Sequence, residues 1–537
     1  MNATQPSRPA SDCQVLVIGA GPTGLVLAAE LLTRGIRTRV IDKGDGVALQ
    51  TRAIGIHART LEVLDTMGLA DRFIERGQLV RQLRFYSQGR CLASLEFSRC
   101  GSRFGFLLDL PQDETERLLR ARIAELGGVI EPGAELTGLA SGDDAVTATV
   151  TGPAGRTGTI TAGYVVGCDG AHSRVRRELG LAFDGQPYPQ EWLLADVLLG
   201  GDLPDGDLRE NAVHAFFRPD GLPVILFPMR GHRWRLTLPF AGQRGEQAPT
   251  LKEIQRLTSQ RAPVPVTVSD PTWMASFCCH RRSASAYRRG RVLLAGDAVH
   301  IHSPAGGQGL NTGILDAHNL AWKLALVASG RVPDALLDSY GAERRPVAED
   351  VLRLTHALVH YGTLSHPVKR MARDLVVPAL ARSAAVQRRA ARRISQVYVR
   401  YPSGPPAVPG RPAGRRGPAV GQRMPDLAVR ADGQLATLHQ VLGGGRHVLL
   451  IPAASAAAVR ADAALRPHRD DVELVETAGA GPVVLVRPDG HVAAKGRPGR
   501  MPAVTGYLRV LFGEPGSVPA AVPPSALTKA VAVTRGQ

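Results

Sequence analysis

The sequence predicts an α/β protein: a parallel-sheet domain, split by an inserted antiparallel sheet and followed by a smaller C-terminal domain. Three observations carry that reading. A glycine-rich turn, Gly19-Ala-Gly-Pro-Thr-Gly24, joins a short aliphatic run to a segment of helical apolar spacing. A second glycine-rich stretch, from Gly296-Asp297 to Asn311, follows another aliphatic run far down the chain. Between them, over 181–286, the pattern changes to alternating segments around turns. The 537 residues are too many for one ordinary core and fit two or three domains.

Residues 14–18 have the look of a buried parallel strand. Residues 23–33 read as a helix ending near Gly35, and 38–41 as a strand that delivers Asp42. Strand, glycine turn, helix, strand, acid is the Rossmann unit in order. Helices are expected at 58–67, closed by Gly68, and at 112–126, closed by Gly127 and Gly128. Residues 164–167 form another short strand leading into Cys168-Asp169-Gly170. In the insertion, 212–218, 224–228 and 234–240 read as antiparallel strands. Residues 291–295 return to buried-strand character, and 309–328 are helical. From 345 to 400 the pattern is helical with interruptions at Pro367 and Pro378. There Arg388, Arg389, Arg392 and Arg393 form a cationic, solvated helix face. The expected division is thus 1–180 with 287–400 for the first domain, 181–286 for the inserted sheet, 401–418 for a Pro/Gly/Arg linker, 419–512 for the last domain and 513–537 for a loose tail. In the last domain, strands are expected at 447–452 and 483–486, with a turn at Arg487-Pro-Asp-Gly490.

Composition narrows the function classes. Hydrophobic residues make up 44%, and no apolar run reaches the length of a membrane span. The first eleven residues lack the apolar stretch of a secretory signal. None of the six cysteines forms a CxxC pair and none follows Cys279, which argues against a disulfide framework or a metal site and for the cytoplasm. The net charge of +17 attracts anions, yet no nucleic-acid module accompanies it, and an Arg-rich surface accounts for it equally. Expected partners are therefore small molecules, with neither nucleic acid nor membrane, on a monomer or homodimer.

The chemistry follows from the two glycine stretches. Gly19, Gly21 and Gly24, with Pro22 and Thr23, let backbone N–H groups approach a pyrophosphate at a helix N-terminus. Asp42, beside Lys43, is placed to accept from ribose hydroxyls. Gly296 and Asp297 end a short strand, where an aspartate can accept from a ribityl hydroxyl. Pro304-Ala-Gly-Gly307-Gln-Gly309 is a chain with few side chains that can lie against a flat ring. Its following helix would stabilise negative charge on that ring. Together these point to FAD.

The same segments resemble the FAD-dependent aromatic hydroxylases, the class A flavoprotein monooxygenases (the GR2/PHBH-like fold). Within them the chain is most similar to bacterial polyketide and phenol hydroxylases with a thioredoxin-like C-terminal domain. The resemblance rests on 15–24 with Asp42, on Arg52-Ala-Ile-Gly-Ile-His-Ala-Arg59, on Cys168-Asp-Gly-Ala-His-Ser-Arg174, on 290–323 and on Tyr340 with Glu343-Arg344-Arg345-Pro346. It implies that Arg52 and Gln112 contact the FAD diphosphate and ribityl region, that Asp169 and Gly170 serve FAD and NADPH, and that Pro304, Gly309, Leu310 and Asn311 line the isoalloxazine. The ordinary alternatives are a surface cation at Arg52, a first-turn helix residue at Gln112 and a plain turn at Asp169-Gly170; the resemblance favours the cofactor roles.

The resemblance also implies non-covalent FAD, transient reduction by NADPH or NADH, and uptake of O2 as a C4a-hydroperoxyflavin that hydroxylates an aromatic, polycyclic phenolic substrate. No catalytic side chain is required, and none is assigned among His214, His232 and His280. Baeyer–Villiger insertion, antibiotic inactivation and a non-catalytic FAD-binding role remain alternatives on this scaffold. The last domain, with no cysteine, cannot carry thiol redox chemistry.

Overall fold

The structure is a computed structural model describing residues 11–47, 53–200, 211–240, 242, 247–262, 266–401 and 417–513. The first ten residues, Arg52, nearly all of the expected linker and the tail beyond Gly513 lie outside those residues.

The aliphatic run folds as the strand Cys13–Ile18, paired in parallel with Thr38–Ile41 on one side and Thr157–Gly167 on the other. Val292–Leu294 and Ile130–Glu131 extend the parallel order at either end. Val15, Leu16 and Val17 are fully buried, as a strand covered on both faces requires. Pro22 opens the helix Pro22–Thr33 at its first turn, where a missing N–H costs nothing, and Gly35 follows its end with φ +72°.

The helix Gly309–Ala328 packs across Pro22–Thr33, and Thr23 is the pivot of that contact. A Cβ on Gly296 would come within 2.7 Å of the Thr23 hydroxyl, and one on Gly313 would collide with it. Gly19 (φ +105°) and Gly24 are equally confined, against the Cys168 carbonyl and the Gly19 carbonyl respectively. Only glycine fits these positions, so the two distant motifs are held side by side.

The second sheet runs His300–Ile301, Thr267–Ala284, Phe183–Gly200, Arg233–Phe240, Val224–Pro228, Ala212–Phe217, Gln82–Ser87, Arg90–Glu96. It therefore reaches beyond the expected 181–286. The hairpin at 82–96 joins it through a parallel pairing of Gln82–Ser87 with Ala212–Phe217, and His300–Ile301 closes the other edge. Pairing across so great a sequence distance leaves no local signature. The expected break at Pro378 does not occur: Pro367–Ala381 is one helix. Pro378 falls in its last turn, where the hydrogen-bond ladder is ending, while Pro367 starts the helix at its first position. The preceding helix, Asp338–Gly362, begins before residue 345. Arg388, Arg389 and Arg392 are exposed on Ala384–Ile394, and Arg393 pairs with Asp350 at 2.7 Å.

The C-terminal domain is a six-stranded sheet in which His447–Pro452 and Val472–Thr477 are parallel and the other pairs antiparallel, the thioredoxin-like arrangement. A buried charge network docks it on the first domain. Glu343 receives both Arg487 Nη1 (2.6 Å) and Nη2 (2.8 Å), Lys323 Nζ (2.8 Å) and Asn319 Nδ2 (2.7 Å). Arg487 also pairs with Asp489, whose carboxylate takes Trp322 Nε1 at 3.3 Å. Arg59 donates to the Asp489 carbonyl (2.7 Å), and Glu62 receives Arg59 and Arg423. Burial pushes the Glu343 carboxyl up, but Arg487 and Lys323 outweigh it and hold it at about 2. Burial lowers Lys323 to about 8 in spite of Glu343.

Two predictions follow from this docking. Glu343→Gln leaves Arg487 and Lys323 buried without their counter-charge and should cost about 3–5 kcal/mol in chemical denaturation. His447 is fully enclosed against Trp322, Tyr507 and Phe512, and burial pushes it down to about 3. Its native form is thus neutral, and the stability this gives is present above about pH 6.5 and lost as pH falls towards 3. His447→Phe should make the acid-side stability slope shallower by up to about 1.4 kcal/mol per pH unit, one proton fewer taken up on unfolding.

Candidate active site

One cavity of about 1990 Å³ runs between the parallel sheet and the second sheet. Small-ligand sites span ~300–1,000 Å³, so this one has room for two ligands. Gly21, Pro22, Thr23, Lys43, Gln112, Asp169, Gly170, Asp297, Pro304, Gly307, Gly309 and Leu310 all line it. The turn after Cys13–Ile18, the turn after Thr157–Gly167 and the turn Gly296–Ala298 meet here because their strands are neighbours in one parallel sheet, ending on one side.

The other expected residues within the described chain, Arg52 lying outside it, stand behind the wall. Gly19, Gly24 and Gly296 are the close-packing positions described above. Asp42 Oδ2 accepts from Ala20 N at 2.5 Å and Oδ1 from Gly44 N at 2.7 Å, so its carboxylate braces the glycine turn. Asn311, expected along the ring, lies behind the loop instead. It is 0% exposed, donates to the Gly55 and Gly307 carbonyls (2.8 and 2.7 Å) and accepts from His57 N (2.8 Å). Helical geometry turns its side chain back onto the loop that precedes it. Gln112 Nε2 donates to Glu116 at 3.0 Å. Asp169 Oδ2 accepts from Arg174 N (2.7 Å) and Val175 N (3.1 Å), while its buried Oδ1 has no partner among the described residues.

Several lining residues escape sequence reading. His57 Nε2 meets the Gly306 carbonyl at 2.8 Å, and burial lowers the ring to about 4, so it is neutral. His302 Nδ1 meets the Ser303 carbonyl at 2.8 Å, and burial lowers it likewise to about 4. On the second sheet the wall is aromatic and aliphatic, including Phe85, Trp192, Phe217, Phe227 and Phe277. Arg235 lines it too, 1% exposed and clamped by Asp196 through Nε (2.7 Å) and Nη2 (2.6 Å). That pair sits in register across two antiparallel strands, which no sequence spacing reveals. His280 lines the cavity, whereas His214 is packed among Tyr86, Phe216 and Trp234, and His232 occupies a turn with φ +57°. Cys278 and Cys279 also reach the wall; Cys278 Sγ lies 3.6 Å from Glu191 Oε1, and burial and Glu191 raise its thiol. All six cysteines are free. Among the described residues no helix is long and apolar enough to cross a membrane.

The cavity wall fits a dinucleotide. At Gly21, the N-cap of Pro22–Thr33, a Cβ would meet no protein atom within 4 Å, so its space belongs to the cavity. Gly24 offers the opposite case, a Cβ colliding with backbone. We expect Gly21→Ala to fold normally yet bind FAD roughly tenfold to a hundredfold more weakly, having displaced one or two charge-assisted contacts. Gly24→Ala should fail to fold stably. Flavin fluorescence titration and circular dichroism check both.

Residues 12–355 match the FAD binding domain family, and residues 417–515 match the family described as aromatic-ring hydroxylase, C-terminal. The chain is 37% identical over 530 residues to 6-methylpretetramide 4-monooxygenase of Streptomyces rimosus, with 93% of each chain covered. It is 35% identical to a rifampicin monooxygenase of Streptomyces venezuelae, covering 90% of this chain and 95% of that one. Among solved structures, OxyS anhydrotetracycline hydroxylase from Streptomyces rimosus superposes with a TM-score of 0.78 at 34% identity, over 94% of this chain and all of that one. The shared cradle, inserted sheet and C-terminal domain have one meaning: the chain belongs to the FAD-dependent aromatic-ring hydroxylases, monooxygenases that use NAD(P)H and O2.

Proposed function

We propose that the substrate is a polycyclic phenol of the aromatic polyketide class, bound in the chamber of the second sheet with its reacting edge towards Pro304–Gly309. The single observation that carries this is the continuity of one cavity from the dinucleotide cradle to an aromatic-walled chamber. The relatives that act on tetracycline precursors support the same substrate class.

Bound FAD supplies the redox chemistry, taking electrons from NAD(P)H and passing them to O2. The chain's own residues bind, orient and exclude water. The N-terminal N–H groups of Pro22–Thr33 would hold the pyrophosphate, and Asp297 and Gln112 would serve the ribityl chain. The N-terminus of Gly309–Ala328 would stabilise negative charge on the ring. Phe85, Trp192 and Phe227 grip the planar substrate and keep the chamber dry. Arg235, its charge balanced by Asp196, gives the otherwise apolar wall a fixed polar point against which the substrate's oxygen atoms orient. A second reading, inactivation of an aromatic antibiotic, is supported by the rifampicin monooxygenases among the relatives.

Purified holoenzyme should oxidise NAD(P)H faster when given a multi-ring phenol, with a product heavier by one oxygen drawn from labelled O2. A ring-expanded lactone would replace hydroxylation by Baeyer–Villiger insertion. Acceleration by rifamycin-type antibiotics alone would favour inactivation, and no acceleration by any aromatic would refute both. Asp297→Ala should weaken FAD binding roughly tenfold, the size of one lost hydrogen bond to a charged group.

A further inference from the structure

We propose that Gln396 is a positioning residue for the ring-facing loop Pro304–Gly309, and that through it the segment leading to the C-terminal domain sets the flavin's surroundings. The inference rests on the reading that this loop faces the isoalloxazine. The loop turns through Gly306 (φ +79°) and Gly307 (φ +62°), closed by one backbone bond from Gly307 N to the Pro304 carbonyl (2.9 Å). Its shape is held from behind. Gln308, 0% exposed, donates its two amide hydrogens to the Gly306 carbonyl (2.7 Å) and the Ile394 carbonyl (3.1 Å). His57 Nε2 donates to the same Gly306 carbonyl, which explains the 3.1 Å approach of the two nitrogens.

With both hydrogens used, the oxygen is the one group of the Gln308 amide left to be satisfied. Gln396 Nε2 supplies that contact at 2.6 Å and gives its other hydrogen to Thr312 Oγ1 at 3.0 Å. Both of these partners can accept, so the amide's orientation is fixed, and Gln396 Oε1 is left buried without a partner among the described residues. Gln396 also adopts a left-handed backbone, φ +58°, unusual for a residue that is not glycine. An unpaired oxygen and a strained backbone are costs that stability alone does not explain; they are understandable where geometry serves a site.

The residues around Gln396 reach the C-terminal domain. The Ser395 carbonyl accepts from Arg59 N (3.2 Å), whose guanidinium grips the Asp489 carbonyl. Tyr401 N donates to the Gly421 carbonyl (2.9 Å), and Arg344 donates to the Tyr401 hydroxyl (3.0 Å). A domain without cysteine thus acquires a role: it anchors the strap that carries Gln396.

Gln396→Gly is the informative variant, because it removes the amide while relieving the left-handed strain. We expect a folded holoenzyme whose FAD dissociates roughly fivefold to tenfold faster, the size of one lost hydrogen bond. We also expect a displaced flavin reduction potential, an altered visible spectrum, and more H2O2 released per NAD(P)H. Should glycine loosen the segment, Gln396→Asn, which tolerates the same backbone but is a methylene short of Gln308, gives the same readouts. Unchanged potential, spectrum and coupling in the folded variants would overturn the role of Gln396. Asp297→Ala, measured alongside, separates the two ideas: if it leaves FAD release unchanged, the assignment of this wall to the flavin is what fails.

Discussion

The whole site depends on one close contact, the packing of Thr23 against Gly296 and Gly313. It brings the first turn of Pro22–Thr33 against a strand end and a helix that lie far away in the chain. Two helix N-termini then face one cavity, and their dipoles favour negative charge in the same space. Any side chain at Gly296 or Gly313 would push the helices apart by the width of a methyl group. The meeting of the two glycine motifs at one groove is therefore a packing property before it is a chemical one.

The charged interior has a different logic. Helix Gly309–Ala328 buries Asp316, His318, Asn319 and Lys323, each with a partner on another element. Asp316 takes Arg344 at 2.6 Å and His300 at 2.7 Å; Glu30 takes His318 at 2.5 Å. Apolar residues would pack as tightly, but they would accept many docking orientations. Paired buried charges accept few, since any other arrangement strands a charge. The motif 316–323 and the run from Tyr340 to Arg345 thus act chiefly as fasteners between helices and the C-terminal domain.

Elements whose cause is local were legible from the residues. Strands 38–41 and 224–228 and helix 309–328 follow from apolar spacing and from glycine or proline at their ends. The cavity-lining loop 304–309 was legible as a stretch with few side chains. What local patterns cannot carry is pairing. The hairpin at 82–96 reads as part of the first domain until its parallel neighbour at 212–217 is known. Asp196 and Arg235 look like two ordinary charges until the sheet aligns them. Asn311 sits in a motif that suggests ring contact, yet the helix turns its amide back onto the loop. Pro378 suggests a break, but its place in a final turn leaves little ladder to break.

The thiol of Cys278 has a consequence for how long the catalyst lasts. A chamber that handles oxygen will at times misfire and release peroxide beside its own sulfur atoms. Peroxide attacks the deprotonated form of cysteine, and Glu191 keeps the proton in place. The carboxylate thereby favours the less reactive, protonated thiol at this point of the chamber wall.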